Sequence, residues 1–278
     1  MSIRTPHSVA LILASAFVAV VFATAFFGPL LFKDDYQTID LSSRLIPPFA
    51  LSSELHILGT DELGRDILAR LVASISTSVK ISFAATIIST SIGLLLGLLA
   101  VHFRGAVDHA VMAAVDLQAA LPFMIIALAF LAFLDGGMVA FVTLLGLHGW
   151  ERTARITRAV ALEANAEGYV AAARQVGVPP LRLYRVHLLP NIASALLVTA
   201  TITLPEIIIL EATLSFLGLG VQPPHTSLGT MVAFGRDYLI SAPWIPAFPS
   251  IVLVLLALSI SSIGDWVKRR NDAYIEIE

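Results

Sequence analysis

Three carboxylates, Asp116, Glu206 and Glu211, stand inside long apolar runs of this sequence. A charged side chain at the centre of a hydrocarbon layer costs at least about 2.5–3.5 kcal/mol on insertion scales, so each should face protein or a water-filled path. Two roles suit such groups: the polar lining of a solute or proton route, or a hydrogen bond between helices. Glu206 and Glu211 are five residues apart, which turns a helix by about 500° and leaves them about 140° apart around its axis. They share no face and form no paired-carboxylate site. Pro205, directly before Glu206, is placed to kink the helix and free a carbonyl on the polar side. Other reactive groups are sparse. The chain has no cysteine, which removes disulfides, thiolate metal ligands and thiol nucleophiles together. Its seven histidines are scattered, without a close metal-ligand pair. No G-x4-G-K-[ST] phosphate loop occurs. Gly218-Leu219-Gly220 follows a helical pattern, and Pro223 stands where a dinucleotide fingerprint needs glycine.

The elements that must hold these residues are membrane helices. Of 278 residues, 57% are hydrophobic and 13% charged, against about 45–50% and about 25% in soluble domains. That apolar excess has to face lipid or other chains within lipid. The net charge of −3 offers nothing to nucleic acid. Six spans are predicted: Ser8–Phe32, Ile81–Val101, Ala110–Leu134, Met138–Trp150, Ile192–Leu217 and Pro246–Gly264. The first is expected to be retained, because its apolar run continues beyond the cleavage-like Ala23-Thr24-Ala25. The fourth is short, and its helix can continue past Trp150 on snorkelling arginines. The expected division is residues 1–72, the first span with a polar outer segment, and residues 73–278, the transmembrane core. With the N-terminus inside, the inner segments carry 11 of the 17 basic residues, and the outer segment 33–72 carries seven acids. By the positive-inside rule both termini are cytoplasmic.

Two patterns organise the core. Ala85, Ser89, Gly93 and Gly97 follow one another at intervals of four, making one helix face on which another backbone can pack closely. The stretch 151–191 is charged, with six arginines against three glutamates, and reads as a surface elbow. Ala161–Val176 is predicted helical, Gly177-Val178-Pro179-Pro180 ends that helix, and a second short helix runs from Pro180 to Leu188. Gly177 suits a left-handed terminal position. Either a protein cleft or anionic lipid headgroups could receive such a knob.

Three segments also carry a family resemblance. Tyr169-Val-Ala-Ala-Ala-Arg-Gln-Val-Gly177, followed by Leu188-Leu-Pro-Asn191, resembles the cytoplasmic EAA loop of bacterial ABC importer permeases. His56-Ile-Leu-Gly-Thr-Asp-Glu-Leu-Gly-Arg-Asp66 and the stretch from Glu211-Ala-Thr-Leu-Ser-Phe-Leu-Gly-Leu-Gly220 to Pro224 resemble signatures of the dipeptide/oligopeptide/nickel group, in its second, C-type permease. The resemblance implies an all-α, type I ABC importer permease fold in a bacterial inner membrane. The implied partners are a homologous permease, two ATPases that carry ATP and magnesium, and a periplasmic or lipid-anchored substrate-binding protein. It implies no catalysis and no cofactor on this chain, and import of peptides or similar small solutes by alternating access. Tyr169, Ala171, Ala172, Ala173, Gly177, Val178, Pro179, Leu189 and Pro190 would form the ATPase-docking elbow, and Asp116, Glu206 and Glu211 are path candidates. Ala171 occupies the position of the loop's usual glutamate, with Glu167 one turn earlier as a substitute, and His187 replaces the usual isoleucine. The alternative function is a proton-coupled secondary carrier using the three carboxylates. Such carriers more often show matching interrupted halves, which this sequence lacks.

Overall fold

The first helix, α1 (Pro6–Leu31), is an almost uninterrupted apolar run with Pro6 in its first turn, where a missing N–H costs nothing. A computed structural model of the chain describes residues 6–31, 35–50, 56–133, 137–168, 175, 177–179, 182, 186 and 188–275. The remaining helices are α2 (Ile67–Phe103), α3 (Gly105–Ala120), α4 (Phe123–Phe133), α5 (Met138–Gly146), α6 (Trp150–Ala166), α7 (Leu189–Phe216), α8 (Leu228–Gly235) and α9 (Trp244–Ile275). Among the described residues the only β pairing is an isolated bridge between Thr60 and Asp66. Among the described residues four helices are long and apolar enough to cross a membrane, or five if the bent α3–α4 pair is one broken span.

The predicted spans differ from the helices at three places, each for a local reason. The second helix begins at Ile67, not at Ile81. Asp66 caps it, its Oδ1 accepting from the Ala69 N–H at 2.8 Å. The charges that made this stretch look like a loop are accommodated: Arg70 is buried in an ion pair with Asp61, and the Lys80 ammonium lies 6.0 Å from the centre of the Phe26 ring. The third span is broken. Pro122 lacks an N–H and disfavours helical backbone at the residue before it. Leu121 is accordingly extended, with φ −99° and ψ 131°, and α3 meets α4 at 89°. The fourth span shrinks to the nine residues of α5, about 13 Å of helix, well short of the hydrocarbon thickness. Gly149, at φ 83°, turns the chain into α6, so the arginines belong to a separate helix rather than a continuation.

The chain divides into two compact units. One comprises Met1–Phe83, Leu131–Val142 and Leu204–Ile263. Its core includes Val21, Ile67, Ile75, Ile208, Met231 and Leu256. Here α1 lies along the start of α2: the Ser76 hydroxyl donates to the Ala25 carbonyl at 2.7 Å, and Phe22 meets Phe83 edge to face at 6.3 Å. Outside the helices, Asp61 organises the segment before α2. It is fully buried, accepts from the Leu63 and Arg65 amides at 2.8 and 3.0 Å, and also takes the Arg65 and Arg70 guanidinium groups. Trp244, at the start of α9, donates to the Thr60 carbonyl at 3.2 Å and closes this loop onto the bundle. Nearby, the Ser42 and Ser43 hydroxyls hold the Asp40 carboxyl below its ordinary pKa.

The other unit comprises Ala84–Phe130, Thr143–Thr203 and Gly264–Glu278. The small-residue face of α2 packs here against α6. A Cβ at Gly93 would stand 2.5 Å from the Thr153 Cβ, and one at Gly97 would stand 2.7 Å from the Ala154 carbonyl oxygen. The Ser89 hydroxyl donates to the His148 carbonyl at 2.6 Å. With no side chain at either glycine, the two backbones close on each other and gain dispersion contacts. Gly97→Leu should therefore lower stability by about 1–3 kcal/mol, the usual cost of overpacking. Gly137→Ala, where a Cβ meets nothing within 4 Å, should change nothing. Thermal unfolding of the purified chain in detergent checks both.

Candidate functional site

Of the three intramembrane carboxylates, Glu211 is the most enclosed. Its residue has no exposed surface. The Ser78 hydroxyl on α2 donates to Oε2 at 2.8 Å, and the Ser215 hydroxyl, one turn on along α7, donates to Oε1 at 2.7 Å. Ser78 in turn accepts from the Leu228 N–H at 3.1 Å, one of the first-turn amides of α8 that no carbonyl within the helix can satisfy. The start of α8 is finished by a capping box between Ser227 and Thr230, and Ser74 meets Thr226 at 2.9 Å. Three elements thus converge on one carboxyl group. Among the described residues no cation pairs with it, so hydroxyl hydrogen bonds compensate its removal from water. The α8 N-terminus supplies a favourable dipole beside it.

The chain after Glu211 ends α7 in the expected way. Gly218 takes φ 81°, and the amides of Leu219 and Gly218 return to the carbonyls of Leu214 and Ser215 at 3.0 and 3.1 Å, a Schellman end. Next to it lies a cavity of about 490 Å³ whose lining includes Glu62, Ser215, Gln222, Thr230, Arg236 and Tyr238.

Asp116 lies on α3 in the other unit. It is well exposed and paired with Arg155 of α6 at 2.9 Å. Glu206 is half-buried on α7, which runs through Pro205 as one helix. Among the described residues no group of three His, Asp or Glu side chains could hold a metal ion.

The predicted elbow is described only in part. Tyr169, Ala171, Ala172 and Ala173 lie outside the described residues, as do His187 and most of 180–187. The helix expected over Ala161–Val176 is, up to Ala166, the end of α6, whose C-cap is Glu167. Gly177 takes φ 78°, the left-handed conformation its position called for, with open space around a built Cβ. The Arg182 amide donates to the Pro179 carbonyl at 3.0 Å, so the chain turns there. Gly177 and Pro179 are exposed and Val178 is half-buried. Leu188 is fully buried against Val101, Ala161, Ala164 and Ile192, whereas Leu189 and Pro190, which begin α7, are exposed.

Several polar contacts escaped the sequence reading: Ser78, Ser215 and Ser227 around Glu211, the Asp61–Arg70 pair, and Asp108 with Arg158. The serines had a signal. Ser74 and Ser78 recur at four residues on one apolar helix, and Glu211 and Ser215 show the same spacing on another.

The comparisons with known proteins agree on one family. The model of the binding-protein-dependent transport system inner membrane component matches residues 89–275. The di/tripeptide transport system permease protein DppC of Pseudomonas aeruginosa is 35% identical, over 92% of this chain and 85% of its own. The oligopeptide transport system permease protein OppC of Bacillus subtilis is 32% identical, over 92% of this chain and 82% of its own. Among solved structures, a chain of the MetNI methionine ABC transporter in an inward-facing conformation superposes with a TM-score of 0.59 at 23% identity, covering 73% of this chain and 97% of that one.

Replacing the enclosed carboxyl tests its part in the bundle. Glu211→Ala leaves the two serine hydroxyls without an acceptor and opens a cavity, and should cost about 2–4 kcal/mol. Glu211→Gln keeps the shape and one acceptor oxygen, and should cost about 1 kcal/mol. Equal unfolding temperatures for the two variants would show that the hydroxyl network contributes nothing.

Proposed function

This chain belongs to the binding-protein-dependent transport system inner membrane components, and from that premise we propose that it forms half of the translocation path of an importer of short peptides. It is a multi-pass permease subunit of an ABC importer, a class in which ATP is hydrolysed on separate chains. The match over residues 89–275, joined to relatives named for di/tripeptide and oligopeptide transport, carries the reading. In our proposal the chain sits in a bacterial inner membrane with both termini cytoplasmic. It pairs with a homologous permease, two ATPases dock below, and a periplasmic or lipid-anchored binding protein delivers solute above. Residues 73–278 are the proposed transport core and 1–72 the added first span with its outer segment, the boundary falling within the first turns of α2.

The elbow is the proposed seat of ATPase docking, with Tyr169, Ala171, Ala172, Ala173, Gly177, Val178, Pro179, Leu189 and Pro190 as its residues. The left-handed Gly177, the exposed Pro179 and the buried Leu188 support this, because they give a knob pinned at its far end. Closure of the ATPases would move the knob, and the helices would rock as bodies between inward- and outward-facing states. Asp116, Glu206 and Glu211 are the proposed polar groups of the path, Glu211 in any state in which the serines of α2 part from α7. A proton-coupled carrier gains no support from Asp116, which is already ion-paired, or from Glu211, which is already hydrogen-bonded.

Two experiments test the proposal. Reconstituted alone with labelled peptide and ATP, the chain should hydrolyse nothing and import nothing; uptake without partners would refute it. In the assembled transporter, Gly177→Val places a β-branched residue in left-handed backbone at a local cost of about 1–2 kcal/mol. That cost is enough to misorient the knob but too small to unfold the bundle, so insertion should persist while import collapses. Val178→Cys, the sole cysteine in such a chain, should crosslink to an ATPase. Normal import by Gly177→Val with no crosslink would reduce the segment to a surface loop.

A further inference from the structure

Helix α6 is gripped on two faces by different kinds of contact. Toward α2 it presents Thr153 and Thr157, packed on Gly93 and Gly97. Toward α3 it presents Arg155 and Arg158. Arg158 grips Asp108 as a fork, with Nε and Nη2 donating to the two carboxylate oxygens at 2.5 and 2.6 Å. Both side chains are partly shielded, at 32% and 20% exposure. Arg155 reaches Asp116 at 2.9 Å in a more exposed pair. The later arginine meets the earlier aspartate, the order expected of two antiparallel helices. Beside these pairs Met112 and Val115 pack against Trp150 and Ala154.

The apolar strip holds α3 and α6 together but sets no register, since burial of apolar surface is not directional. A planar guanidinium that engages both oxygens of a carboxylate fixes distance and orientation together. The exposed Arg155–Asp116 pair adds little of its own. Beyond α6 the chain passes through the elbow and returns at Leu188 and Ile192 onto Ala161 and Ala164. These contacts tie the returning end of the elbow to the end of α6. On its other side α3 leads directly to the Pro122 break and α4.

We infer that Asp108 and Arg158 are positioning residues for energy coupling: their bidentate pair makes α3 and α6 move as one body, so that motion at the elbow reaches α3 and α4. The inference rests on the reading of the elbow as the ATPase contact. Neither residue touches solute or nucleotide, so the quantity they control is the efficiency with which hydrolysis is converted to import.

The test uses the complete transporter in liposomes and measures ATP hydrolysed per labelled peptide imported, with the Val178→Cys crosslink as a separate readout of docking. Import and crosslinking by the otherwise unaltered complex establish the elbow reading independently; their absence defeats that reading, and this inference with it. Given both, Asp108→Asn and Arg158→Gln should each raise the ATP consumed per peptide about three- to tenfold, equivalent to about 0.7–1.4 kcal/mol and within the coupling energies of a contacting pair. Crosslinking and the amount of assembled complex should be unchanged. The exchange Asp108→Arg with Arg158→Asp should bring the ratio back to within about twofold of the original. An unchanged ratio in both single variants would overturn the inference. So would a proportional fall of hydrolysis and import in all three, exchange included, which would mark the pair as merely structural.

Discussion

A carboxyl group with no exposed surface joins α2, α7 and the start of α8, and the geometry of that end of the bundle depends on satisfying it. Placing Glu211 among apolar helices would be costly without partners. The partners are hydroxyls from two helices, and one of them, Ser78, also absorbs an orphan amide of a third. Removing any member leaves a buried polar atom unpaired, so the contacts are mutually enforcing rather than additive. Helix packing inside a membrane has little hydrophobic drive of its own, which makes a polar node of this kind a natural way to fix which helices are neighbours.

The same logic recurs at Asp61 with different chemistry. There a buried carboxylate takes two backbone amides and two guanidinium groups. Charge balances charge, because Arg65 and Arg70 lie within reach on the same stretch of chain. Glu211 has only short hydroxyl side chains around it. Both nodes stand at the boundary between a helix and a loop, where backbone groups also need partners. The protein therefore compensates side-chain and backbone polarity with the same few atoms.

Much of this was legible in advance, and the failures are physical. Apolar run length located α1, α7 and α9, since nothing but a membrane helix explains such runs. The spacing of Ala85, Ser89, Gly93 and Gly97 identified the face on which α6 now packs, and Gly177 was identified as left-handed from the prolines behind it. The start of α2 was missed because Arg70 and Lys80 read as breaks; only the fold supplies the acid and the aromatic ring that accommodate them. Pro122 was overlooked inside an otherwise apolar run, and so one span was expected where the chain turns through a right angle. The partner of Asp116, Arg155, is 39 residues away, a separation at which sequence spacing carries no information about contact. The serines around Glu211 were visible as residue types but not as a set.

The right-angle break at Leu121–Pro122 carries a consequence for water. The Leu121 amide returns to the Gln118 carbonyl at 3.3 Å and the Ile125 amide to the Pro122 carbonyl at 2.9 Å, but the end of α3 and the start of α4 still leave backbone groups outside their helical ladders, and residues 119–122 are exposed. The Gln118 side-chain amide is directed to the Leu147 carbonyl rather than to these groups. Hydrocarbon offers no hydrogen bonds, so irregular backbone persists at membrane depth only against protein or in a hydrated cavity. Wherever such a bend lies within the bilayer, water or another polypeptide must reach it, because lipid offers its unpaired backbone groups nothing.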